Sequence, residues 1–209
     1  MNSSFFYSLL KRQFPFTPTN KQDLFFQLIA EFCTNNDDNE IFVLKGYAGT
    51  GKTTVISTIV NNLIEINKKY VLLAPTGRAA KVISNYSQKP AFTIHKKIYF
   101  PKKVAGGVSF TMQQNKHKNT IFIVDEASMI SDTNTDSNAF ENGSLLDDLI
   151  SYIYSGTNCK MLLLGDTAQL PPVNLDISPA LNIDTLGMHY NKEIKHIEFD
   201  EVMRQEEKS

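Results

Sequence analysis

Long apolar runs are missing from this chain. No stretch approaches the ~18 uninterrupted apolar residues of a membrane span, and the first residues lack the charged-then-apolar order of a secretory leader. Cysteine is scarce. Cys33 and Cys159 lie far apart and match no metal or redox spacing, so they read as two reduced thiols packing as small hydrophobes. Internal repeats are absent as well. These absences point to a soluble, cytoplasmic protein. What is present suffices for a packed core. The 209 residues are 42% hydrophobic, which rules out wholesale disorder and fits one domain with room for a small insertion.

Acidic residues are missing from one long segment. Net charge is close to zero, at 21 basic against 22 acidic residues, yet Ile66 to Val124 contains no Asp or Glu. It does contain Lys68, Lys69, Arg78, Lys81, Lys89, Lys96, Lys97, Lys102, Lys103, Lys116 and Lys118, so it carries +11 and the rest of the chain −12. Such a segment suits a polyanionic partner, because each Lys or Arg near a phosphate releases condensed counterions. The competing reading is a solvated face with a chance local composition.

Short apolar runs alternate with helical periods, which predicts an α/β domain built on a mostly parallel sheet. Thr19 or Asn20 can cap a helix with Leu24, Phe25, Leu28, Ile29 and Phe32 on its apolar face. Strands are predicted at Ile41–Lys45, Tyr70–Ala74, Ile121–Val124, Met161–Leu164 and Ile194–Phe199. Helices are predicted after the glycine-rich turn that follows Lys45, near Gly77, and around Leu145–Tyr154. Lys96 to Asn119 breaks the alternation. Its Gly106-Gly107 between Tyr99-Phe100 and Val108-Phe110 suggests a small β-hairpin excursion. Ser131 to Ser144 is rich in Asp, Asn, Ser and Thr and reads as a mobile loop.

Gly46-Tyr47-Ala48-Gly49-Thr50-Gly51-Lys52-Thr53 matches the phosphate-loop pattern in full, between a strand and a helix. The chemistry requires these residue types. Glycines let backbone N–H groups wrap a β-phosphate, and the helix N-terminus adds a favourable dipole. Gly46, Ala48, Gly49, Thr50, Gly51, Lys52, Thr53 and Thr54 are therefore the candidate ATP-binding residues. Lys52 would reach the β- and γ-phosphates and the Thr53 hydroxyl would ligate Mg²⁺. Asp125 and Glu126 end an apolar strand, where Asp125 would hold Mg²⁺ through water and Glu126 would act as general base on the attacking water. Gln169, in the turn after the Leu162–Leu164 run, could sense the γ-phosphate; otherwise that turn is an ordinary one before a proline stop.

Together these residues resemble the RecD-like and Dda-like branch of the superfamily 1 DNA helicases. Ala74-Pro75-Thr76-Gly77-Arg78-Ala79-Ala80-Lys81 is similar to that branch's motif Ia, and Thr93-Ile94-His95 to its next signature. Asp125-Glu126-Ala127-Ser128-Met129 resembles motif II, Gly165 to Val173 motif III, and Glu201-Val202-Met203-Arg204-Gln205 motif IV. The resemblance implies a RecA-like P-loop NTPase domain with a three-layer α/β architecture. It also implies that Gln22 reads the adenine edge (its alternative being an exposed first-turn residue), that Arg204 contacts the γ-phosphate, and that Thr76, Arg78, Thr93 and His95 lie on a single-stranded DNA track. The hairpin after His95 stands where relatives carry a pin that splits duplex DNA. Lys102 and Lys103 would contact DNA there, and Tyr99, Phe100 and Phe110 would stack on bases or form the hairpin's own small core.

The chain departs from the family in its polar 131–144 loop and in ending soon after the motif IV residues, without a second RecA-like domain. The expectation is one RecA-like motor domain over residues 1–209, with a basic hairpin at 96–119. It would use Mg·ATP and act on single-stranded DNA and duplex junctions, in repair or recombination. The rival is a stand-alone P-loop ATPase switch acting on a protein partner.

Overall fold

The computed structural model describes residues 2–104, 107–130, 144–166, 168 and 178–202, leaving aside the side chains of residues 102–104 and 107–109. In chain order, helices α1 (Ser3–Gln13) and α2 (Asn20–Thr34) lead into strand β1 (Glu40–Gly46) and helix α3 (Lys52–Asn62). Strand β2 (Lys69–Ala74), helix α4 (Gly77–Ser87), the short strand β3 (Ala91–Thr93) and helix α5 (Ile94–Ile98) follow. Next come strands β4 (Tyr99–Val104), β5 (Gly107–Met112) and β6 (Lys118–Val124), then helix α6 (Leu145–Tyr154) and strand β7 (Thr157–Gly165). Helix α7 (Ile183–Tyr190) and strand β8 (Glu193–Phe199) complete the order.

Six strands form one sheet in the order β3-β2-β6-β7-β1-β8, all in parallel pairs. Parallel strands need crossovers, and buried ones read as continuous apolar runs. The inner predicted strands do so, as with Ile121 to Val124, all buried, while Ile194–Phe199 at the sheet edge mixes polar and apolar residues. Period-two alternation then sorts their side chains between two cores. Phe42, Leu44, Leu72, Ile123, Leu162 and Phe199 pack under α1–α4, while Ile41, Val43, Leu73, Phe122, Met161 and Leu163 pack under α5–α7. The three-layer architecture is therefore as expected.

Thr19 is the N-cap of α2. Its hydroxyl accepts from the Gln22 N–H while Gln22 Oε1 accepts from the Thr19 N–H, a complete capping box. Helix α1 had no reading in the sequence. It packs on α2 through Phe6, Leu9 and Leu10. Both cysteines are buried free thiols, and burial pushes the Cys33 thiol up to about 12. Lys160 is a second feature without a sequence signal. It is fully buried in β7, donating to the Phe32 carbonyl at 2.8 Å and to Asn35, and pairing with Glu40 at 3.2 Å.

β4 and β5 form the antiparallel hairpin. Of its two readings, stacking or packing, Tyr99 takes the packing one. It is buried, and its hydroxyl donates to Asp148 of α6, which ties the hairpin root to the domain. Phe100 and Phe110 are exposed. The 131–143 part of the polar loop lies outside the described residues.

Candidate active site

The phosphate loop joins β1 to α3 at the carboxyl end of the sheet. Gly49 and Gly51 have φ of 79° and 84°, a region that a Cβ makes costly. Gly46 is required by space instead. A Cβ there would meet the Phe199 carbonyl oxygen and Thr50 Oγ1, each at 2.9 Å. Thr50 is buried and its hydroxyl donates to the Tyr47 carbonyl at 2.8 Å. Ala48 and Gly49 are exposed, and Thr53 and Thr54 lie half-buried in the first turn of α3. Gly51 caps that helix without a side-chain hydrogen bond, so no side chain competes for the first-turn N–H groups that an anion would use.

Lys52 folds back over the loop. Its Nζ donates to the Gly46 carbonyl at 2.6 Å and to the Tyr47 carbonyl at 2.8 Å. Burial holds the ammonium below the ordinary lysine range, opposed by the charges of Asp166, Asp125 and Glu126. Those three carboxylates face Lys52 because β6 and β7 end beside β1. Leu44 pairs with Leu164 and Val124 with Leu163, so the residues after each strand come together.

Asp125 follows β6, and its N–H donates to the Leu73 carbonyl. Burial, together with repulsion from Glu126, pushes its carboxyl up to about 6. Glu126 has φ 55°, a conformation unusual for a residue other than glycine or asparagine, and begins a short 3₁₀ turn over Ala127–Met129. That strain lies beside the phosphate loop, where such strain is commonly found in functional sites. Asp166 is the site residue that the sequence analysis did not single out. It is buried, accepts from the Ala168 N–H at 2.8 Å, and could have been found as Asp125 was, as an acid closing a buried strand.

Gln22 is buried rather than exposed. Its amide is engaged at both ends. Oε1 accepts from the Thr19 N–H at 3.1 Å and Nε2 donates to the Thr50 carbonyl at 3.2 Å, bracing the phosphate loop against α2. After β8 the chain passes the same loop. Val202 Cγ1 lies 3.5 Å from where a Gly49 Cβ would stand. Gln169 and Arg204 lie outside the described residues, as do the side chains of Lys102 and Lys103.

The DNA candidates gather at the other end of the same sheet edge. Thr76 caps α4, its hydroxyl accepting from the Ala79 N–H at 3.2 Å. Thr93 caps α5 in the same way through the Lys96 N–H. Ala74 and Thr93 are register partners, so both caps sit side by side beyond adjacent strands. Arg78 and His95 are exposed in the first turns of those helices, and partial desolvation of the His95 ring holds it below the ordinary histidine range.

A parallel sheet with a glycine-rich loop between β1 and α3, a loop lysine and acids closing the neighbouring strands defines a P-loop NTPase domain. The family model described as an AAA domain matches residues 31–175, and the chain belongs to that family. An uncharacterized protein of Acanthamoeba polyphaga mimivirus is 32% identical over 207 residues, covering 88% of this chain and 38% of its own length. The ATP-dependent RecD2 DNA helicase of Deinococcus radiodurans is 28% identical over 142 residues, covering 65% of this chain and 17% of its own. Among solved structures, the Pif1 helicase from Candida albicans shares the fold. Its TM-score is 0.55 at 20% identity, covering 91% of this chain and 41% of that one. The RecD2 relative agrees with the RecD-like resemblance of the motifs. This chain spans well under half the length of each of these proteins.

Proposed function

We propose that the chain is the ATP-binding and ATP-hydrolysing motor domain of an ATP-dependent DNA helicase that translocates on single-stranded DNA. One observation carries the reading. Lys52 and the three carboxylates of Asp125, Glu126 and Asp166 converge at one end of the sheet's carboxyl edge, while Thr76 and Thr93 of the acid-free basic segment cap helices at the other. In this reading the loop N–H groups and Lys52 bind the phosphates, and Lys52 exchanges its two carbonyl partners for phosphate oxygens. Glu126 takes the proton of the attacking water. Gln169 and Arg204 face the γ-phosphate and Gln22 the adenine, as the family resemblance implies. The Thr53 hydroxyl and Asp125 carboxylate are hard oxygen donors of the kind Mg²⁺ takes, and the bound ion supplies charge neutralisation at the phosphates. Thr76, Arg78, Thr93, His95, Lys102 and Lys103 track the DNA.

No helix among the described residues is long and apolar enough to cross a membrane, consistent with action in the cytoplasm. By the RecD-like resemblance that action belongs to DNA repair or recombination, at junctions between single strands and duplex. Fluorescence anisotropy of labelled oligo-dT at two salt concentrations, and of a labelled ATP analogue with Mg²⁺, tests the reading. Binding of both, with DNA affinity falling steeply as salt rises, is expected. Failure to bind oligo-dT at low salt would overturn the DNA assignment.

A further inference from the structure

The eleven basic residues between Ile66 and Val124 are divided by the fold between the two ends of the sheet. Arg78 and Lys81 follow the carboxyl end of β2, and Lys96 and Lys97 that of β3. Lys68 and Lys69, Lys89, and Lys116 and Lys118 stand instead at or just before the amino ends of β2, β3 and β6. These three strands are parallel neighbours, so their starts lie side by side on the edge opposite the phosphate loop. Lys69 pairs in register with Thr120, two residues after Lys118. Neither the ATP site nor the candidate DNA track uses this edge.

The charge of this patch is not cancelled locally. Lys69 and Lys118 are exposed, Lys68 and Lys89 half-buried, and none of the four forms an ion pair among the described residues. Glu65, exposed in the 3₁₀ turn over Leu63–Ile66, pairs with none of them either. The Lys68 ammonium donates to Asn158 at 3.3 Å and Asn158 to Asn119 at 2.7 Å, which ties the starts of β2, β7 and β6 together. Half-buried His117 feels the patch. Burial first, and then the charges of Lys97 and Lys69, hold its ring below the ordinary histidine range. The acids of this edge stand on the other side of β7, and lysines of their own answer them. Glu40 pairs with Lys160 and Lys195, and Glu193 with Lys195, while Asp37 and Asp38 act on Lys192.

We propose that this edge binds duplex DNA by its phosphates, as a second contact away from the single-strand track. The proposal goes beyond the helicase reading and takes from it only nucleic acid as the partner. Neighbouring strands lie about 4.8 Å apart. The row over β3, β2 and β6 therefore spans about 10 Å, along which a duplex axis carries about six phosphate charges. Lysines without a carboxylate partner release counterions from such a backbone. Single-strand sites add exposed aromatic faces on which bases stack. Around these strand starts, over 68–70, 89–91 and 118–120, no aromatic ring is exposed, and Tyr70 packs half-buried on the core under α1–α4. A duplex, with its bases stacked inside, needs none.

The test is fluorescence anisotropy with a labelled blunt duplex and with labelled oligo-dT, each over a range of salt. The proteins are the parent chain, Lys69→Ala/Lys118→Ala, Lys69→Arg/Lys118→Arg and Arg78→Ala, each first checked for a parent-like melting curve. The parent should bind both probes. The double alanine variant should bind duplex about tenfold or more weakly, flatten its log–log salt slope by about 1.8, and keep parent-like affinity for oligo-dT. The double arginine variant keeps the charge and should match the parent with both probes. Arg78→Ala should weaken oligo-dT binding and spare the duplex. Parent-like duplex affinity and slope in the double alanine variant would overturn the proposal. So would an equal loss of oligo-dT, which makes the row part of the single-strand path, or displacement of the duplex by poly-glutamate at equal charge, which makes any polyanion its ligand. A parent that binds oligo-dT through Arg78 and no duplex overturns the proposal and leaves the helicase reading standing. One that binds duplex through the two lysines and no oligo-dT does the reverse.

Discussion

Replacing Asp125 with asparagine should stabilise the ligand-free chain while impairing its function. Burial, with repulsion from Glu126, holds the Asp125 carboxyl at about 6 against an ordinary 3.8, and Lys52 opposes this only weakly. A folded-state value above the unfolded one means that the folded chain binds the proton more tightly. The stability that this proton confers is present below the unfolded value and is lost as pH rises through about 6. A displacement of about two units corresponds to about 3 kcal/mol, destabilising the parent at neutral pH. Asparagine removes the charge and keeps the oxygen that accepts from the Glu126 N–H at 3.0 Å. Its new amide N–H returns roughly 1 kcal/mol or more of the gain where it finds no partner. The net expectation is a gain of about 1–2 kcal/mol, or a Tm rise of about 5 °C at this chain length. Thermal unfolding followed by circular dichroism, without Mg²⁺ or nucleotide, measures it across the pH range. The variant should lie about 1 kcal/mol below the parent under the ordinary carboxylate value, overtake it as pH rises towards 6, and hold its gain above that. No gain above that point, or an equal gain at all pH values, would refute the reasoning. Mg²⁺-dependent nucleotide binding should weaken in the same variant, the usual exchange of stability against activity at a strained site.

Lys52→Ala should abolish Mg·ATP binding and leave the melting curve within about 1 kcal/mol of the parent, since the ammonium bonds only two loop carbonyls; calorimetric titration with the nucleotide checks this. Glu126→Gln should retain nucleotide binding and lose at least 100-fold in turnover, the usual scale of a general base, measured by phosphate release from a protein that includes this domain. Tyr99→Phe removes the hydroxyl that donates to buried Asp148. It should cost about 1–3 kcal/mol in urea unfolding, and more weakly anchored hairpin amides should exchange faster.

The fold was legible in the sequence where one physical rule acted alone. Strands buried on both faces must be apolar throughout, so Ile41–Lys45, Tyr70–Ala74 and Ile121–Val124 announced themselves, and Thr19 or Asn20 offered a helix cap. The phosphate loop was equally plain, because its backbone conformation admits glycine at Gly49 and Gly51 and little else. Helix α1 was not legible, since its Phe6, Leu9 and Leu10 gain meaning only from the α2 face they cover. Tyr99 read as either a stacking or a packing residue and only the fold decided for packing, because a tyrosine beside a basic hairpin carries no mark of the Asp148 carboxylate that binds it.

The sequence alone determined the list of groups that can hold a phosphate, a divalent ion and a polyanion, because those follow from residue type and local spacing. Tertiary structure decided which groups meet. Parallel register sets Asp166 beside Lys52 and Asp125, although they are separated along the chain by one or more crossovers. The same register buries Gln22 against Thr50, and the shared direction of β2, β3 and β6 gathers Lys69, Lys89 and Lys118 at one edge. The physical reason is that strand order and crossover connections bring together residues that local propensity cannot relate, and the environment so formed sets their charge, partners and exposure.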